Sequence, residues 1–210
     1  GFSLASADKS VAGKCMTCHK EKSPGIYNQW YESAHAVHKV TCIECHGATK
    51  GENDAFLHEG AWVATLVTPK DCGECHVREA EEVANSYHAK AGEILASADA
   101  YLAHVAAGEP VAISGCESCH GAKMQIDPDS PNMLSKKTWP NSGIGRINPD
   151  GSTGACSSCH MRHQFSIEVA RKPYTCGQCH KGPDVPAYKV YSVSMHGNIQ
   201  KSVDKSWDYQ

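Results

Sequence analysis

All 12 cysteines of this 210-residue chain fall into pairs of one spacing, and each pair is followed at once by histidine. The runs are Cys15-Met16-Thr17-Cys18-His19, Cys42-Ile43-Glu44-Cys45-His46, Cys72-Gly73-Glu74-Cys75-His76, Cys116-Glu117-Ser118-Cys119-His120, Cys156-Ser157-Ser158-Cys159-His160 and Cys176-Gly177-Gln178-Cys179-His180. The spacing answers a chemical need. Two thiols one turn apart add across the two vinyl groups of a porphyrin, and the next residue's imidazole reaches the iron as its proximal ligand. Six disulfides would not require a His after every second Cys. Zinc ribbons bring two Cys pairs to one metal and give the adjacent His no role. A thioredoxin-like redox motif would occur once, in a βαβ setting. The reading is six c-type haems, with His19, His46, His76, His120, His160 and His180 on the irons.

A chain of this kind needs little core of its own. With Phe 3, Trp 4 and Tyr 8 it is poor in the large side chains that fill interiors, and stacked porphyrins supply what is missing. The expected fold class is therefore mainly α: helices and long loops wrapped around a row of haems, with little or no β, as a single multihaem domain over 1–210. The formal charge of −3 excludes the basic footprint of a nucleic-acid binder. Each ferric haem adds about one negative charge through its propionates, so the holoprotein sits roughly six units lower and suits cationic partner surfaces. No apolar run approaches the roughly 18–20 residues of a transmembrane helix. Covalent haem attachment takes place outside the cytoplasm. The chain is thus expected to be periplasmic, on the cell surface or extracellular, with a signal peptide removed before Gly1.

The motifs lie 27, 30, 44, 40 and 20 residues apart, a loose repeat without a fixed period. Ile26, Trp30, Ala34 and His38 recur at helical spacing after Pro24-Gly25. From Val77 to Ala107 the chain is rich in Ala, Glu and Leu, which predicts one long or once-kinked helix stopped by Gly108 and Pro110. Ala122 to Ala155, with Pro128, Pro131, Pro140 and many glycines, predicts a long ordered loop draped over a haem. A short helix is expected from His163 to Lys172, ended by Pro173. A last one starts near Tyr188 and carries His196.

Seven histidines remain after the proximal six: His35, His38, His58, His88, His104, His163 and His196. A lone His is usually a surface or satisfied core residue. Six irons with a vacant sixth position reverse that expectation. His35 and His38 share a helical face, so one of them at most serves a given iron, and His38 beside Lys39 is read as the surface residue. An iron with two imidazoles is saturated and suited to passing electrons, whereas a five-coordinate haem has an open face for substrate. Seven histidines for six irons permit either. Arg146 and Arg162 read either as guanidinium partners of haem propionates or as ordinary surface charges.

The order and context of the motifs resemble the octahaem hydroxylamine oxidoreductase family. The likeness runs through Ser23-Pro24-Gly25-Ile26 and Trp30, Ser33-Ala34-His35-Ala36, Pro69-Lys70-Asp71 before the third motif, and Gly108-Glu109-Pro110 before Gly115. It is densest in Trp139-Pro140-Asn141-Ser142-Gly143-Ile144-Gly145-Arg146-Ile147-Asn148-Pro149-Asp150-Gly151 and Met161-Arg162-His163-Gln164-Phe165-Ser166. It ends with Arg171-Lys172-Pro173, Gly182-Pro183-Asp184 and Ser194-Met195-His196-Gly197. The resemblance implies an extracytoplasmic helical protein with closely packed haems, all bis-His except the fourth, which is the catalytic one. It gives distal-ligand roles to His35, His58, His88, His163 and His196, and makes the haem of Cys116, Cys119 and His120 the fourth. This chain departs in holding six motifs where the family has eight, and in placing Val185 after Asp184 where the family has a His beside the catalytic iron. Loss of such a general acid–base group costs typically 10²–10⁴ in rate. His104, which matches no family ligand, is placed to cap the fourth iron.

Two functions compete. The leading one is an electron carrier with six mostly or wholly bis-His haems, whose partners are other redox proteins or copies of itself in a head-to-tail conducting filament. The alternative is an enzyme, a hydroxylamine oxidoreductase or nitrite/nitric oxide reductase working at the fourth haem with Asp184 as proton relay. Haem storage is a distant third, because storage does not require fixed irons with dedicated second ligands.

Overall fold

A computed structural model describes residues 9–98, 105, 108, 115–182 and 185–209. Short helices dominate it: α1 (Lys9–Lys22), α2 (Pro24–Tyr31), α3 (Ala34–Val37), α4 (Cys42–His46), α5 (Pro69–Gly73), α6 (Val77–Ala84) and α7 (Ala91–Ala98). After these come α8 (Cys116–His120), a 3₁₀ turn (Cys156–Ser158), α9 (Ile167–Arg171), α10 (Pro173–Cys176), α11 (Ala187–Val193) and α12 (Met195–Val203). One antiparallel hairpin, β1 (Ala55–His58) and β2 (Ala61–Ala64), pairs His58 with Ala61. The fold is mainly α, as the sequence predicts.

The breaks between helices have local causes. The predicted run from Val77 is divided within its described part. After α6 the Ser86 hydroxyl donates to the Val83 carbonyl at 2.6 Å and accepts from the Ala89 amide at 3.4 Å, so a side chain replaces the helical partners. Ser33 and Ser194 act the same way: each caps a new helix through its hydroxyl, separating α2 from α3 and α11 from α12. Pro173 ends α9 but also occupies the first turn of α10, where its missing N–H costs nothing. The hairpin turns through Glu59 and Gly60 at φ 49° and 85°, both left-handed, the pattern that matches strand twist in a two-residue turn.

Among the described residues the hydrophobic core is small: Leu66, Met124 and Leu134, with Trp139 packed against them. Other buried apolar residues are mostly alanines. The polypeptide exposes 13969 Å², against roughly 9,500 Å² for a compact protein of 22.6 kDa. Side chains alone do not close this interior. Residues 122–155 contain neither helix nor strand, only isolated bridges, which is the ordered loop the prolines and glycines imply. Its closest approach to the helices depends on glycine. A Cβ on Gly145 would lie 2.5 Å from the Gly92 nitrogen, and one on Gly121, at φ 85°, 2.4 Å from the Arg146 nitrogen.

Candidate haem-binding site

Each Cys-x-x-Cys-His run is presented on about one helical turn. In the third, fifth and sixth motifs the amides of His76, His160 and His180 donate to the carbonyl of the first Cys at 2.9, 2.9 and 3.0 Å. Capping starts these turns at the right residue. The Thr41 amide donates to the Glu44 carboxylate at 2.6 Å ahead of the second motif. Ahead of the third, the Thr68 amide donates to Asp71 at 2.7 Å, and the Thr68 hydroxyl reaches Asp150 at 2.6 Å. That second bond ties the motif to the loop.

The fold brings proximal and distal histidines together in four places. Ring centroids of His19 and His58 lie 6.2 Å apart, His35 and His76 6.1 Å, His46 and His163 6.2 Å, and His88 and His180 6.2 Å. Two imidazoles on opposite faces of one metal ion, with metal–nitrogen bonds of about 2 Å, place their centroids roughly 6.3 Å apart. Four independent pairs at that one separation fit bis-imidazole iron. The donor set fits haem as well, because every pair joins the His of a Cys-x-x-Cys-His turn to one remote in sequence.

Each distal residue arrives by a different route. His58 ends β1 at the hairpin turn, and His35 sits in α3, started by the Ser33 cap. His88 occupies the turn that Ser86 makes between α6 and α7. His163 is in a loop, its amide donating to Gln29 Oε1 at 3.2 Å. Phe165 lies edge-on to both His35 (5.1 Å) and His163 (6.5 Å) and fixes the two rings together. Gln29 does not stand out in the sequence, and Phe165 does so only as part of the family-like run Met161–Ser166. The left-handed backbone of Phe165, φ 52°, is one sign that packing holds it there.

Electrostatics favour neutral imidazoles, whose lone pairs an iron requires. Burial, with His163, His19 and Arg162 nearby, lowers His46 to about 4. Burial also lowers His35, His160 and His163, aided by His76 and His38, by His76 and by Arg162 respectively.

The cysteines show how the motifs are arranged. Burial raises Cys42, with Cys15 as the next cause, and burial raises Cys45 to about 11 beside Asp71 and Cys75. Cys72 and Cys156 are hydrogen-bonded, which raises the first and lowers the second to about 7. Burial raises Cys159, next to Cys176, and raises Cys179 to about 11 beside its hydrogen-bonded neighbour Cys119. In space the motifs therefore run first, second, third, fifth, sixth, fourth. The third faces the fifth, and the sixth faces the fourth.

Other predicted site residues are not brought into pairs. His120, His160, His196 and the surface residue His38 form no imidazole ring contact among the described residues. His104 and Asp184 lie outside the described residues. Arg162 is exposed, whereas Arg146 is only 2 % exposed, which removes the surface reading for Arg146.

Residues 149–210 match the family model described as "Seven times multi-haem cytochrome CxxCH". This chain is a multihaem c-type cytochrome. The cytochrome is 27% identical over 232 residues to a probable nitrite reductase-hydroxylamine oxidoreductase fusion protein of Kuenenia stuttgartiensis, a match covering 93% of this chain and 22% of that protein. It is 27% identical over 184 residues to cytochrome c-554 of Nitrosomonas europaea, covering 83% and 68% of the two chains. Among solved structures, a hypothetical multiheme protein aligns with TM-score 0.83 and 34% identity over 95% of this chain and 48% of its own. A chain of the Kuenenia stuttgartiensis reducing HAO-like protein complex (HAO, hydroxylamine oxidoreductase) aligns with TM-score 0.64, at 24% identity, over 96% of this chain and 37% of its own. The latter likeness is one of fold. The cytochrome spans about half or less of both solved chains and about a fifth of the fusion protein, and it is related to hydroxylamine-oxidoreductase-like proteins.

Proposed function

We propose that this cytochrome is an electron-transfer protein carrying six haems in one domain, one at each Cys-x-x-Cys-His turn, with most or all of the irons bis-His. The observation that carries the reading is the set of four imidazole pairs at 6.1–6.2 Å. His58, His163, His35 and His88 are the distal ligands of the first, second, third and sixth motifs. Bound there, c-type haems supply one-electron chemistry with no exchangeable position on the iron. The chain's own contribution is to fix ligand orientation and order. Phe165 and Gln29 hold His163, while the Thr68–Asp150 bond locks the third motif against the loop. Because the first and fourth motifs end the series, these are the places where a redox partner or a second copy in a head-to-tail assembly docks. An extracytoplasmic location is part of this reading, supported by the fact that covalent haem attachment takes place outside the cytoplasm.

A second reading, catalysis at the fourth motif, is supported by the likeness to a probable nitrite reductase-hydroxylamine oxidoreductase fusion protein. One experiment separates the two on the purified holoprotein. Electron paramagnetic resonance and carbon monoxide difference spectra, with haem quantified per chain, should give six low-spin haems indifferent to the gas. One high-spin haem that binds carbon monoxide would transfer the lead to the enzyme. A count below six would overturn the stoichiometry.

A further inference from the structure

Arg146 is buried, and among the described residues no carboxylate is hydrogen-bonded to it. Its Nε donates to Asn148 Oδ1 at 2.7 Å, one terminal nitrogen to the Asn141 carbonyl at 3.4 Å, and the other to the Val67 carbonyl at 3.3 Å. All three acceptors are neutral, and each terminal nitrogen keeps a further N–H. No ion pair to Arg146 occurs among the described residues. A guanidinium does not give up its proton in proteins, so its burial leaves a fixed positive charge in the interior. An isolated buried charge is costly unless something of opposite sign answers it. Asp150 is the nearby carboxylate, but it is engaged with the Thr68 hydroxyl and with Ser152.

The position of this charge is specific. Ile144 and Gly145 donate to the carbonyls of Cys119 and His120, each at 3.0 Å, which pins the segment to the fourth motif. On its other side Gly154 donates to the Arg146 carbonyl at 2.7 Å and Ala155 to the Ile144 carbonyl at 3.0 Å, one residue before Cys156. The bond to Val67 reaches the segment between β2 and Thr68, at the start of the third motif. Arg146 thus stands where the third and fifth motifs face one another.

We propose that Arg146 is an internal counter-charge for the haem pair at the third and fifth motifs, favouring their reduced state. The inference rests on haems being bound at those motifs. Reduction adds one negative charge to a haem, and a fixed cation held by neutral dipoles in a dry interior stabilises it. The middle of the series then holds electrons more tightly than its ends. Asn148, Asn141 and the Val67 carbonyl are positioning groups: they aim the fork without cancelling it.

The test is a potentiometric titration of the full holoprotein, resolved by electron paramagnetic resonance, on wild type, R146Q, R146K and D150N. Haem content and circular dichroism are measured first. Loss of haem from the third or fifth motif in the wild type would defeat the haem assignment itself. With haems in place, R146Q should shift the reduction equilibrium of one or two haems at least tenfold toward the oxidised form, 59 mV for a one-electron couple. R146K should keep the potentials but lower the melting temperature, because the fork's bonds are lost while the charge stays. D150N, which removes the carboxylate opposing Arg146, should shift the same haems the other way. Unchanged potentials in a folded, fully loaded R146Q would make Arg146 a brace only and overturn the proposal. Should R146Q fail to fold, unchanged potentials in D150N overturn it equally.

Discussion

The helical regions and the 122–155 loop solve the problem of an interior in opposite ways. The helices and the turns between them leave large side chains in the open: Tyr87, Met195, Val193 and Val37 are 85%, 79%, 77% and 74% exposed. The loop has no regular structure yet contains Met124, Leu134, Asn141, Arg146, Asn148 and Ala155, all buried. Its interior is largely polar and closed by hydrogen bonds, such as those from Asn148 Nδ2 to Ser152 Oγ (3.0 Å) and to the Gly154 carbonyl (3.1 Å). Regular secondary structure is thus a poor guide to which part of this molecule is self-sufficient. The helices lean on cofactor, and the loop leans on its own polar groups.

Withholding haem should expose that contrast most strongly. In chain produced without haem attachment, hydrogen exchange should show α1 to α4 unprotected while amides of Gly154, Ala155 and Ile147 remain slow. Uniform loss of protection would mean that the loop too depends on haem. The next largest effect is expected from Gly145→Ala, which forces a Cβ to 2.5 Å from the Gly92 nitrogen. A loss of about 3 kcal/mol or more is expected, read as a lowered unfolding midpoint in the holoprotein. An unchanged midpoint would show that the loop and α7 are free to separate.

His163→Ala acts on the helical side alone. It should turn one haem high-spin and reactive toward carbon monoxide with all haems still attached, because thioether bonds and proximal ligation survive. A spectrum with no new high-spin signal would deny His163 its place opposite His46. Thr68→Val removes a cap and the bond to Asp150, and should cost about 1–2 kcal/mol in thermal unfolding. The smallest effect concerns acid. Burial alone would raise Asp150, but hydrogen bonds from Thr68 and Ser152 outweigh it and hold the carboxyl below its ordinary 3.8. A depressed folded pKa stabilises the protein above the ordinary value, and that contribution fades as pH falls through the lower one. Acid unfolding of D150N should therefore be flatter below pH 4 than that of the parent, and identical profiles would assign the bond no role.

The sequence showed the motifs, the helical class and the extent of the loop, because spacing and Pro/Gly content act locally. It did not show the hairpin, whose Glu59-Gly60 turn is a weaker signal than Asn-Gly between two short apolar runs. The place of the division after α6 was hidden too: Ala and Glu propensity reads as one long or once-kinked helix, and the Ser86 hydroxyl's competition for backbone partners sets where it is interrupted. At the site, the distal roles of His35, His58, His88 and His163 came from resemblance and arrive in space as ring pairs. The burial of Arg146 was not legible, since charged residues are rarely interior and one of the acceptors holding it, the Val67 carbonyl, is remote in sequence.

The crossed order of the motifs has a temporal side. A growing chain presents Cys119 well before Cys179, its neighbour in the finished molecule, because sixty positions of sequence separate them. Until the sixth motif has been made, the fourth can be steadied only by what is already at hand: the preceding helices and, soon afterwards, the 143–146 segment bonded to Cys119 and His120. The contact between the fourth and sixth motifs consequently cannot form until the chain beyond Pro173 is present.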